Sequence, residues 1–158
     1  MSTTRPSRDD ARPAAGGPSG LDPRGPQFSA SVTAVLLVVV LLTAPGPVAV
    51  VLLAVQAVLF AVGAGAGVHR LPTAWVFKRV VRPRLSPPAE LEDPQPPRFA
   101  QAVGLAFAVV GLAGFLTGAD VLGIVAVGAA LVAALLNAVF GFCLGCEMYL
   151  LLRRATHA

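Results

Sequence analysis

Cys143 and Cys146 stand in the segment Cys143-Leu144-Gly145-Cys146, followed at once by Glu147, and they are the only two cysteines of the chain. A pair at this spacing can cycle between dithiol and disulfide, carry sulfane sulfur, or offer two ligands to a metal. A zinc site needs about four ligands. Cys143, Cys146, Glu147 and His69 could be gathered, but their spacing follows no zinc pattern, and no metal site is assigned. Haem attachment needs a His where Glu147 stands. The bland reading is two buried apolar side chains, since free Cys is among the most buried residue types. The chemistry favoured is thiol redox or sulfane-sulfur relay. Cys143 is then the attacking thiol, Cys146 the resolving one, and Glu147 the candidate proton acceptor. No cofactor and no particular reaction can be read from these residues.

The elements that must position this pair read as membrane helices. Hydrophobic residues make up 56% of the 158 and charged residues only 13%, where a soluble domain has about 25% charged. Ala, Val, Leu and Gly carry the apolar mass, as in packed membrane helices. The net charge of +4 then reads as topology control and attraction to anionic lipid, not as a nucleic-acid surface. Four apolar runs cover 29–44, 48–67, 99–117 and 121–142. The first is short of the roughly 20 residues a span needs unless Gln27 and Phe28 join it. Pro45-Gly46-Pro47 and Gly118-Ala119-Asp120 break the runs into two hairpins, with Asp120 expected to N-cap the fourth. The Pro-, Gly- and Arg-rich segment 1–20 is expected to be a disordered tail rather than a signal peptide, and 155–158 a second tail.

The fourth run carries Cys143 about 33 Å from Val121 at about 1.5 Å per residue, roughly one hydrocarbon thickness. In an unbroken helix Cys143, Cys146 and Glu147 would share one face near the negative end. The Cβ atoms would be about 5–6 Å apart, too far for a relaxed disulfide. The favoured alternative is a break permitted by Gly141 and Gly145, with the pair opening a short interfacial helix that ends near Arg154. Reactive Cys-x-x-Cys motifs are usually placed at such a helix start. At a cytoplasmic boundary the pair is expected to be reduced at rest, cycling or metal-bound, since structural disulfides are rare there.

An internal repeat underlies this placement. The segment from Asp22 to Val32 aligns with that from Asp93 to Val103, Asp, Pro, Pro, Phe and Val coinciding at an offset of 71. The offset maps Pro72 onto Cys143 and Trp75 onto Cys146. Each copy reads helix, turn, helix, so the repeats run parallel about an axis along the membrane normal. All Lys and Arg lie in the N-terminal segment, the middle loop and the C-terminal segment, none in the hairpin turns. The positive-inside rule puts both termini and the middle loop in the cytoplasm. Within that loop, 72–81 reads as an interfacial helix anchored by Trp75 or as an extension of the second helix, and 82–98 as a Pro-rich extended linker. Gln56 and Asn137 are polar groups inside the spans, read first as helix–helix glue. The stripes Asn137–Gly141–Gly145 and Ala57–Ala61–Gly65 suggest that the second and fourth spans meet at the pseudo-axis. His69 and His157 fall in exposed basic segments and are assigned no role.

Four stretches carry a resemblance. They are Asp22-Pro-Arg-Gly-Pro-Gln-Phe28, Val81-Arg-Pro-Arg-Leu85, Pro96-Pro-Arg-Phe-Ala-Gln101 and Leu136 through Glu147. Over about 21–154 the chain resembles an uncharacterised bacterial membrane family, DUF4395, with Cys-Leu-Gly-Cys-Glu as its specific part. The resemblance implies an actinobacterial-type membrane protein often seen beside thioredoxin-like and thiosulfate sulfurtransferase proteins, and these are the expected partners besides lipid. The expected architecture is all-α and integral to the bacterial cytoplasmic membrane. Four transmembrane helices form two parallel hairpin repeats, about 22–92 and 93–154, with short interfacial helices on the cytoplasmic side. The rival readings are a small permease for a sulfur-containing anion, alone or as a homo-oligomer, and a structural anchor subunit.

Overall fold

A computed structural model describes residues 20–88 and 90–156. The tail expected over 1–20 thus lies outside the described residues except for Gly20, as does His157.

Long helices form where the apolar runs lie, bounded by Pro and Gly. They are α1 (Arg24–Thr43), α2 (Pro47–Gly65), α4 (Gln95–Thr117) and α5 (Asp120–Phe140), each long and apolar enough to cross a membrane. Such a set fits a multi-pass membrane protein. Between the hairpins lie α3 (Pro72–Val76) and a wider and then a tighter helical turn to Arg84; α6 (Leu144–Thr156) closes the chain. Among the described residues the sole β feature is a bridge between Leu21 and Glu92. The outward faces carry Val35, Leu42, Val51, Leu116, Val121 and Val139, all exposed, a distribution that suits lipid and would be an aggregating patch in water.

The boundaries depart from the apolar runs for physical reasons. Asp22 Oδ1 accepts the Arg24 amide at 3.0 Å, so α1 starts before the apolar residues and reaches spanning length. Asp93 does the same for Gln95 at 2.9 Å. The Pro-rich linker therefore ends at Pro94, and Pro96 and Pro97 occupy the first turn of α4, where a missing N–H costs nothing. Asp120 does not N-cap. Ala119 holds that position, and the Asp120 carboxylate lies in the first turn, where the helix end still favours its charge. Segment 72–81 is not an extension of α2: Gly67 at φ 97° and extended Leu71 separate them. Trp75 is exposed, with the Arg79 guanidinium 5.4 Å over its ring.

The four long helices pack in a square. Helix α1 lies against α2 and α5, and α4 against α2 and α5. The expected meeting of the second and fourth spans does not occur, for α2 and α5 hold opposite corners. Their small-residue stripes fail for local reasons: Ala61 and Gly65 are exposed, and Gly141 ends α5 rather than continuing its face. The close approach is made elsewhere. A Cβ on Gly114 of α4 would stand 2.5 Å from the Gly123 nitrogen of α5, so this hairpin closes backbone to backbone. Leu37, Val40, Leu53, Phe60, Ala108 and Val127 form the core between the four helices. Gln56 is buried and donates to Thr33 at 3.4 Å, the glue role expected of it.

At the end opposite the hairpin turns, side chains cap the open carbonyls of the neighbouring helix. Arg98 donates to Ala64 at 3.1 Å and to Gly65 at 2.7 Å, and Gln27 donates to Ala138 at 3.1 Å. Cations and amides satisfy these orphan carbonyls well. Arg98→Ala should cost about 1–2 kcal/mol, with Arg98→Lys recovering part of it, measured by thermal unfolding in detergent.

Candidate thiol site at the start of the last helix

The site begins with how α5 stops. Gly141 takes the left-handed conformation at φ 66°. Its amide donates to Asn137 at 3.0 Å, and the Phe142 amide donates to Leu136 at 3.3 Å. The Gly141–Asn137 bond is that of a left-handed C-cap, which glycine adopts without a Cβ clash. The chain runs through Phe142 and Cys143 outside helix, then re-enters it at Leu144. The Glu147 amide donates to the Cys143 carbonyl at 3.1 Å, placing Cys143 at the N-cap of α6. The favoured broken-helix reading and the observed chain path thus agree.

The break decides the state of the pair. Cys143 and Cys146 are joined in a disulfide, with Cα atoms 5.2 Å apart, inside the usual range of about 4.4–6.8 Å. The structure thus holds the oxidised form of the pair, one of the two forms that a cycling pair takes. An N-cap residue has non-helical φ and ψ, so its side chain can turn toward the first helical turn. Both cysteines are half-buried, and Glu147 is exposed.

Helix α6 is seated on α4. A Cβ on Gly145 would lie 2.6 Å from the Ala100 Cα, and Tyr149 tilts against Phe99 with ring centroids 5.8 Å apart. Gly145 thus serves close packing of α6, not of α5. Among the described residues no three His, Cys, Asp or Glu side chains gather as a metal-binding group, and His69 is exposed.

Cys143 lines a cavity of about 520 Å³ between α1, α4, α5 and α6. Its walls are mostly apolar, with Phe60 of α2 standing over Gly104 of α4. Thr33, Gln101 and Asn137 supply its polar groups. Of these only Asn137 stands out in the sequence. Thr33 and Gln101 could have been flagged as polar residues within or beside apolar runs. A second cavity of about 690 Å³ adjoins it across Pro26 and Gln101, with His69, Lys78 and Arg82 in its lining. It is the larger of the two, and neither cysteine lines it.

Fold and site together define a helical protein of membrane-spanning type, with a Cys-x-x-Cys disulfide where its last long helix breaks. The chain belongs to the family described as a domain of unknown function, DUF4395, whose model matches residues 21–154. No curated protein and no solved structure matches it.

Proposed function

We propose that Cys143 and Cys146 form a thiol-exchange centre that passes electrons or sulfane sulfur to and from a thioredoxin-like or sulfurtransferase partner. The observation that carries this reading is the disulfide at the N-terminal turn of α6. A partner thiolate attacks the Cys143 sulfur, an S–S bond forms between the proteins, and Cys146 leaves as thiolate. The second partner thiol then attacks the mixed bond, Cys143 leaves as thiolate, and the two protons released by the partner rejoin the pair. The first turn of α6 favours the negative charge of the leaving sulfur. The exposure of Glu147, one residue beyond Cys146, supports its reading as the proton acceptor. Sulfane sulfur fits the same pair: a persulfide on Cys143, attacked by Cys146, yields the disulfide and hydrosulfide.

The orientation we infer is cytoplasmic for this end. Arg24, Arg70, Lys78, Arg98, Arg153 and Arg154 all belong to segments at the end away from the hairpin turns, as the positive-inside rule expects of the bacterial cytoplasmic membrane. In that compartment a disulfide is ordinarily a transient, working one.

We also read the two halves as parallel copies. Leu21 and Glu92, themselves 71 apart, exchange both backbone hydrogen bonds at 2.9 Å, as residues beside a two-fold axis would. Asp22 and Asp93 start their helices alike, and Gln27 and Arg98 each cap a helix of the other half. Helices α3 and α6 occupy equivalent places, against α1 and α4. The second copy alone carries the thiols.

Acid-trapped alkylation of intact cells tests the exchange. The pair should shift between dithiol and disulfide or persulfide after an oxidant or thiosulfate pulse. A pair locked in one state through both pulses overturns the reading.

A further inference from the structure

We propose that the cavity behind Cys143 binds a lipid-soluble quinone, which takes the electrons that reach the Cys143–Cys146 pair. This rests on the thiol-exchange reading above and names its second reactant. The chain has only two cysteines, so no second thiol pair can take the electrons onward. The acceptor must come from outside the chain, and the route to Cys143 through the bundle is apolar. The cavity runs from Pro97 to Phe107 along α4, about 15 Å at 1.5 Å per residue. It therefore reaches from the thiol end well into the membrane-spanning bundle. Its volume of about 520 Å³ falls inside the range of about 300–1,000 Å³ typical of ligand pockets.

The lining favours a carbonyl-bearing ring over a plain acyl chain. Asn137 and Gln101 bring amides to a slot otherwise walled mostly by apolar residues, and the Thr33 hydroxyl, which accepts from Gln56, still has its own hydrogen to donate. Polar groups beside an apolar cavity are costly unless they meet hydrogen-bonding partners, and an acyl chain offers none. Two quinone oxygens offer acceptors, and a prenyl or alkyl tail suits the rest of the slot. The step balances: two S–H groups give up two protons and two electrons, the S–S bond forms, and the quinone becomes a quinol.

The test uses the full chain in lipid nanodiscs, its pair reduced and the reductant removed under anaerobic conditions. The probe is a fully substituted decyl benzoquinone, whose ring has no free position for thiol addition. Quinol is followed by absorbance and the pair by alkylation mass shift. About one quinol per pair oxidised is expected for a two-electron couple. Ala133→Phe, which fills the slot, should slow quinol formation about tenfold or more. Diamide oxidation of its pair reports that fold and thiols are intact. Val125→Phe, on an exposed face away from the cavity, should match the parent chain. The quinone proposal is overturned if diamide oxidises the parent pair and the quinone does not, or if Ala133→Phe reacts at the parent rate. A pair that neither oxidant converts sinks the thiol-exchange reading along with it.

Discussion

A Cys146→Ser chain should fold, keep its thiol at Cys143, and trap its partner as a stable mixed disulfide while turnover falls to nothing. The reason is the order of the exchange. Cys143 sits at the N-cap, ahead of the first helical residue, while Cys146 is part of the first turn of α6. In the proposed exchange with an oxidised partner, the partner bonds to Cys143, and within this chain Cys146 is the group that stands close enough to resolve that bond. Serine preserves size and a polar atom but cannot displace a thiolate. Cys143→Ser should abolish both turnover and trapping, because no attacking sulfur remains at the N-cap. Non-reducing electrophoresis with mass spectrometry of the trapped species reads both variants. Trapping by Cys143→Ser, and none by Cys146→Ser, would reverse the two roles. Trapping by neither would remove the relay and leave the pair structural.

The second large effect is on the fold itself. Gly114→Ala should destabilise the bundle by about 2–3 kcal/mol, at the upper end for overpacking. Its new methyl would stand 2.5 Å from the Gly123 nitrogen, 2.8 Å from the Gly123 Cα and 3.1 Å from the Ala119 oxygen. All three are backbone atoms of the helix-hairpin partner, so no side chain can rotate away. Gly128→Ala is the matched control. Nothing lies within 4 Å of its new methyl, so it should be neutral or stabilising by about 0.5–1 kcal/mol, the ordinary helix preference of Ala over Gly. The same chemical change thus carries opposite signs at two positions in adjacent helices. Thermal unfolding in detergent should separate them by on the order of 10 °C. Equal midpoints would mean that α4 and α5 do not close on each other at Gly114.

Several features of this molecule were legible in the sequence because each rests on local physics. Long apolar runs without charges make helices whose backbone is satisfied internally, and Pro and Gly end them. Gly141 marks a helix end because only glycine takes its φ of 66° without penalty. Asp22 and Asp93 each announce a helix start through a side chain two residues from the amide it binds. The cysteine pair was visible as a motif, and the break ahead of it followed from the same glycine.

What the sequence could not specify depends on which helices become neighbours. Stripes of small residues say that close packing is available, not where it is used. Ala57–Ala61–Gly65 pointed to an α2–α5 contact, whereas the contact is made by Gly114 against Gly123 and by Gly145 against Ala100. A one-dimensional stripe cannot choose among three candidate partners when each offers Ala and Gly. The cavity was invisible for the same reason, since its walls come from five helices and its polar groups Thr33, Gln101 and Asn137 lie far apart in the chain. The sequence by itself determined the four long helices, the breaks between them and the presence of a thiol pair, because these follow from hydropathy, backbone sterics and residue chemistry within a few positions. Only the tertiary structure decided that the pair lies against an apolar cavity, because that depends on α6 folding back onto α4, a contact between residues more than forty positions apart.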